Sequence, residues 1–154
     1  MKNWLLGCVC LTSLIPGALL AQTAATNDTF ARSERSVQIT DDLTITSLGG
    51  FGISDRKVGH IDLVFIESDD DGDTLGIEMG GGFAFKAGLT FYLGAGLLLG
   101  YDLEDDGVEG TVYPEIGAAW KFGSFGVIAS SKLYARLKGD TEDVVMLGLL
   151  YLIA

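Results

Sequence analysis

Along most of this chain, apolar and polar residues change places at every step. From Leu89 to Tyr101 the odd positions are Leu89, Phe91, Leu93, Ala95, Leu97, Leu99 and Tyr101, while the even ones include Thr90, Tyr92, Gly94, Gly96 and Gly100. A period of two belongs to an extended strand with unlike faces. The next run sets Val112, Pro114, Ile116, Ala118 and Trp120 against Thr111, Tyr113, Glu115, Gly117 and Lys121. A third sets Val127, Ala129, Leu133, Ala135 and Leu137 against Gly126, Ser130, Lys132, Tyr134 and Arg136.

The pattern extends upstream. Leu75, Ile77, Met79, Phe83 and Phe85 oppose Gly76, Glu78, Gly80, Gly82, Ala84 and Lys86, and Ile61, Leu63 and Phe65 oppose His60, Asp62 and Val64. Leu43 to Ile53 alternates loosely, with Leu43, Ile45, Phe51 and Ile53 on one face and Thr44, Thr46, Gly50 and Gly52 on the other. With a first strand starting at Val37, the count to Ile153 is eight. Runs of about ten residues are long enough for a tilted strand to cross a bilayer. The predicted fold is all-β: an antiparallel up-and-down transmembrane β-barrel of eight strands.

Two stretches fit this pattern badly. Pro114 stands inside a strand, where it removes a ladder hydrogen bond. Val144 to Ile153 is apolar on both faces, because Met146, Leu150 and Leu152 occupy positions where polar residues are expected. The chain also ends on Ala154 instead of the aromatic residue that often closes outer-membrane barrels.

The connections alternate in length. Lys86-Ala87-Gly88 and Gly123-Ser124 are tight, whereas 68–74, 102–110 and 138–143 are longer, acidic, and fall at the same end as the Asp41-Asp42 turn. Arg56, Lys57, Lys86 and Lys121 gather at the other end. Short inner turns and long outer loops are the asymmetry of an outer-membrane barrel.

Composition adds a compartment and removes a partner. The chain has 154 residues, a formal charge of −11 and 22 glycines. That charge offers nucleic acid no basic surface. Residues 1–21 read as a secretory signal, with Lys2, an apolar core from Trp4 to Leu20, and a small-residue end at Gly17, Ala18 and Ala21. Both cysteines, Cys8 and Cys10, lie inside it, so the mature chain holds no thiol chemistry. Polar residues 22–36 read as a flexible leader, and 37–154 as the barrel domain.

The choice of solvent follows from the faces. A soluble periplasmic barrel binding an apolar ligand would turn its polar face outward. Here that face is mainly Gly, Thr and Tyr with isolated charges, too sparse for a water-facing surface. Lipid outside and a narrow packed interior suit both faces. Asp62, Glu78 and Glu115 would then share the interior with His60, Lys132 and Arg136. Glu78 and Glu115 are expected to pair with Lys132 or Arg136, with Tyr92, Tyr113 and Tyr134 completing the hydrogen bonds. Trp120 and Tyr101 are candidates for the aromatic girdles at the two membrane boundaries.

The sharpest chemical motif is the acidic loop. Glu67, Asp69, Asp71, Gly72 and Glu78 nearly fit a calcium-hand spacing, but position one is Glu and the flanks are strands. Loose attraction of divalent cations by Asp69, Asp70, Asp71 and Asp73 remains. A lipid-modifying enzyme would want His60, the only histidine, near a serine and a carboxylate at the outer rim; His60 instead falls near the inner end. No catalytic residue, cofactor or phosphate loop is assigned, since Gly80-Gly81-Gly82 lacks a following Lys and helix.

The block Asp69-Asp70-Asp71-Gly72-Asp73, followed by Leu75-Gly76-Ile77-Glu78-Met79-Gly80-Gly81-Gly82-Phe83, resembles the aspartate-rich hairpin and glycine strand of YfaZ-type outer-membrane proteins of Gram-negative bacteria. Gly117-Ala118-Ala119-Trp120-Lys121-Phe122-Gly123 resembles a later strand and turn of that family. The resemblance implies an outer-membrane barrel without an assigned activity. The expected role is structural or a surface for interaction, with outer-membrane lipid and lipopolysaccharide as its surroundings.

Overall fold

The computed structural model describes residues 28–37, 43–54, 56–68, 72–104, 106–136 and 141–153. Residues 1–21, the Asp41-Asp42 turn, Asp69 to Asp71, Leu137 and the Arg136 side chain lie outside the described set. Eight antiparallel strands form a closed barrel: β1 Asp28–Val37, β2 Leu43–Ile53, β3 Lys57–Ser68, β4 Thr74–Ala87, β5 Leu89–Asp102, β6 Val108–Phe122, β7 Phe125–Arg136 and β8 Thr141–Leu152. Each strand pairs with its chain neighbours, and β1 closes on β8.

The register fixes the barrel's shape. Starting at Phe85 and stepping through Phe91, Ala118, Ala129, Leu147, Arg35, Thr46 and Phe65, the pairing returns to β4 at Leu75, ten residues from its start. A stagger of that size over eight strands tilts them about 40° from the axis and leaves an interior filled by side chains. The tight turns carry glycines at positive φ, Gly88 and Gly123, where a Cβ would be strained.

The first strand begins earlier than the sequence pattern suggests. Residues 28–36, expected as leader, are nearly all of β1, and Phe30, Arg32 and Glu34 point inward and are buried. Its outward residues Thr29, Ala31, Ser33 and Arg35 are small or polar, so the apolar alternation that marks the other strands is missing.

β2 also faces the opposite way from the general scheme. Its apolar residues Ile45, Phe51 and Ile53 are buried, while Thr44, Thr46 and Gly52 face outward; Gly50, at an outward register position, is itself covered. The close approach at Gly49 sets this orientation. A Cβ there would lie 2.1 Å from the Ile61 carbonyl and 2.5 Å from the Asp62 carboxylate, so shifting the strand by one residue would drive a side chain into that backbone.

The apolar inward residues form two plugs. Phe30, Phe51, Ile53, Val58, Tyr92, Ile128 and Leu150 fill the tight-turn end. Ile45, Val64, Ile66, Leu98, Val144 and Met146 fill the loop end with Tyr113 and Tyr134. β8 is apolar on both faces because its inward residues Leu150 and Met146 serve one plug each, while Leu147, Leu149 and Tyr151 face outward. Pro114 also faces outward: the ladder between β6 and β7 joins Thr111 and Val112 to β7 and resumes at Glu115.

Candidate functional site

Between the two plugs lies a layer of ionic side chains from five strands. Arg32 and Glu34 come from β1, His60 and Asp62 from β3, Glu78 from β4, Glu115 from β6, and Lys132 from β7, and every one is at most 4% exposed. Alternation places them, since each occupies the inward position of its strand at middle height. Such charges persist away from water only when paired and hydrogen-bonded.

The pairing is organised around two cations. Arg32 ion-pairs with Asp62 through Nη2, its Nε donates to Asp62 Oδ1 at 3.1 Å, and its Nη1 stands 3.4 Å from Glu34 Oε2. Lys132 ion-pairs with Glu78, whose second oxygen accepts from the Tyr134 hydroxyl at 2.8 Å. His60 spans the layer, with Nδ1 at 2.7 Å from Asp62 and Nε2 at 3.0 Å from Glu115. Tyr92 donates to the other oxygen of Glu115 at 2.9 Å, and Ser130 to Glu34 at 3.3 Å. The rings that reach into this layer need bare backbone opposite. A Cβ on Gly96 would meet the Tyr113 hydroxyl at 2.1 Å, and one on Gly117 the Tyr92 ring at 2.4 Å.

Lys132 with Glu78 is one of the predicted pairs, and Tyr134 and Tyr92 complete hydrogen bonds as expected. Glu115 instead meets His60. Sequence reasoning missed Arg32 and Glu34, which lay in the presumed leader. The signal for them was Phe30-x-Arg32-x-Glu34, alternating on the inward side.

His60, Asp62 and Glu78 place potential ligand atoms within 4.8 Å of one another. The Arg32 guanidinium already occupies their centre: Nη2 bonds Asp62, lies 2.9 Å from His60 Nδ1 and stands 3.8 Å from Glu78 Oε1. A divalent ion there would have to displace a positive group held by three partners, so the donor set suits the guanidinium better than a metal. Nor does the calcium-hand spacing assemble, because Glu78 points inward to Lys132 and Tyr134. Of the four loop aspartates, Asp73 alone is among the described residues, half-buried beside β4. Among the described residues, the polar groups that meet the His60 ring are Arg32, Asp62, Glu78 and Glu115. The inward Ser130 bonds Glu34 and not His60.

The outward wall is apolar over six strands. Phe83 is 65% exposed, Ile116 60% and Leu149 67%, and similar residues cover β3 to β8. At the tight-turn end the aromatics cluster: Trp120 meets Phe122 edge-on with centroids 5.8 Å apart, and Phe125 meets Tyr151 at 5.3 Å. Lys121 bridges to Asp28 at 2.8 Å at that same end. At the loop end Tyr101 is outward and donates to Asp106 at 2.9 Å.

Comparison with solved structures gives the same architecture. A de novo designed transmembrane β-barrel superposes with a TM-score of 0.56 and 16% identity, covering 82% of this chain and 95% of the design. The N-terminal β-barrel domain of Pseudomonas aeruginosa OprF superposes with a TM-score of 0.52 and 19% identity, covering 82% of this chain and 96% of that domain. The sequence matches no protein-family model and no curated protein.

Proposed function

We propose that this chain spans the outer membrane as a sealed barrel with a structural or surface-interaction role. The observation that carries the proposal is the continuous apolar wall over β3 to β8. A contiguous exposed apolar surface of that extent is intolerable in water and is what a strand barrel presents to lipid. The tight-turn end, with Lys121 and the aromatic cluster, faces the periplasm, and the acidic loop end faces outward. The filled interior opposes both a diffusion pore and the rival reading, a soluble periplasmic carrier of an apolar ligand. The ionic layer is a structural lock closed by a plug on each side.

The YfaZ-type resemblance is kept as a likeness of the Asp69–Phe83 hairpin and a later strand. The acidic loops, with Asp69, Asp70, Asp71 and Asp73, take divalent cations loosely, which would let them sit against anionic lipopolysaccharide. Chelation should then weaken lipopolysaccharide retention without unfolding the barrel.

Membrane extraction followed by electrophoresis with and without boiling tests the proposal. Detergent-dependent extraction with a heat-dependent mobility shift is the expected outcome. Recovery in the soluble periplasmic fraction without a shift would overturn it.

A further inference from the structure

The apolar wall is broken at one place, where β1 and β2 turn Thr29, Ala31, Ser33, Arg35, Thr44 and Thr46 outward. Away from the two residues at each strand end, the charged residues on the outward face of the described chain are Arg35 on β1 and Asp143 on β8. They flank the seam where the barrel closes. They cannot neutralise each other within one chain. Arg35 lies opposite Leu147, and Asp143 is four residues further along β8, a Cα separation of about 14 Å. Asp143 accepts a hydrogen bond from the outward Ser131 at 3.0 Å, and among the described residues Arg35 has no ionic partner.

We infer that a second copy of this chain packs against the β8–β1 seam, pairing Arg35 of each copy with Asp143 of the other. A two-fold axis along the membrane normal at that seam sets β1 of one copy against β8 of the other, so one salt bridge forms twice. The register supplies the height. Asp143 stands about 7 Å above Arg35 along the barrel axis, which an arginine side chain covers by reaching toward the outer rim. The same rotation sets Thr44 and Thr46 on β2 against the partner's β7, where Ser131 is outward. Small residues Ala31 and Ser33 let the two walls approach closely, the usual device for packing protein against protein in lipid. A lipid phosphate would answer Arg35 but, being anionic, would sit against the Asp143 carboxylate only with a divalent cation between them, whereas a second copy supplies both opposite charges itself.

This inference rests on the membrane reading, and a charge-swap series tests it separately. The chain, with Cys8 and Cys10 replaced by serine, is purified in mild detergent as wild type, Arg35→Asp, Asp143→Arg and the double reversal. Each is weighed by light scattering, and a Ser33→Cys version of each is cross-linked in membranes with a short bis-maleimide. The heat-shift gel confirms that each variant is a closed barrel, so loss of pairing is read independently of loss of fold. The wild type is expected as a dimer, each single reversal to weaken dimerisation by roughly tenfold or more, and the double reversal to restore it. A monomeric wild type in both detergent and membranes, single reversals that stay dimeric, or a double reversal that stays monomeric would each overturn the inference. A monomer that sheds bound lipopolysaccharide on Arg35→Asp would overturn it in favour of lipid phosphate.

Discussion

β5 and β2 are both antiparallel strands of one barrel, yet they bury opposite kinds of face. β5 turns Leu89, Phe91, Leu93 and Leu99 outward and keeps Tyr92, Leu98 and small residues inside; β2 turns Thr44, Thr46 and Gly52 outward and buries Ile45, Phe51 and Ile53. A strand's own amphipathicity therefore does not choose its side. For β5, Gly96 is needed inside because the Tyr113 hydroxyl lies over it, which leaves the leucines outside. For β2, Gly49 is needed inside because Asp62 and the β3 backbone crowd it, which brings Phe51 inward with it. What stands opposite decides the register, and the outward face is what remains.

The strongest way to break this contrast is to fill the tight spot. Gly49→Val should prevent the barrel from closing, because the nearest obstacle is backbone and cannot swing aside, whereas Gly52→Ala on the outward side meets nothing nearer than 3.8 Å and should be silent. The heat-shift gel reads both. Lys132→Met removes the ammonium that Glu78 bonds, leaving only the Arg32 guanidinium at 3.8 Å, and should cost about 3–5 kcal/mol in urea unfolding from detergent or vesicles. Adding Glu78→Leu should recover much of that loss, since the carboxylate then no longer needs a partner. Next in size, Ala95→Arg places a charge on the outward side of β5 near mid-height and should cost about 2–4 kcal/mol in a bilayer. The smallest effect is expected from Tyr134→Phe, which removes one hydrogen bond to Glu78 and should cost about 1.5 kcal/mol.

The class of the fold was legible because period-two alternation over β3 to β7 survives without tertiary information, and turn lengths ordered the two ends. Five of the seven members of the ionic layer were legible for the same reason: Glu78, Glu115, Lys132, His60 and Asp62 are isolated charges in otherwise apolar strands. Arg32 was hidden because β1 shows small and polar residues on its outward side, so its alternation is charge against hydroxyl rather than apolar against polar. The orientation of β2 was hidden for a different reason. Its clash at Gly49 involves the β3 backbone, and a strand's sequence carries no trace of the strand beside it.

The central claim is that the outward face touches lipid, with opposite sequence parity on β5 and β2. Single cysteines scanned from Leu93 to Leu97 and from Thr44 to Leu48, in a background lacking Cys8 and Cys10, can be spin-labelled and exposed to a lipid-soluble and a water-soluble relaxing agent. Strong relaxation by the lipid-soluble agent is expected at Leu93, Ala95 and Leu97 on β5 and, in an Arg35→Asp background that keeps the β8–β1 seam unpaired, at Thr44, Thr46 and Leu48 on β2, with the intervening positions shielded from both agents. Access of the water-soluble agent to Leu93, Ala95 and Leu97, with no lipid contact at any position, would contradict the claim.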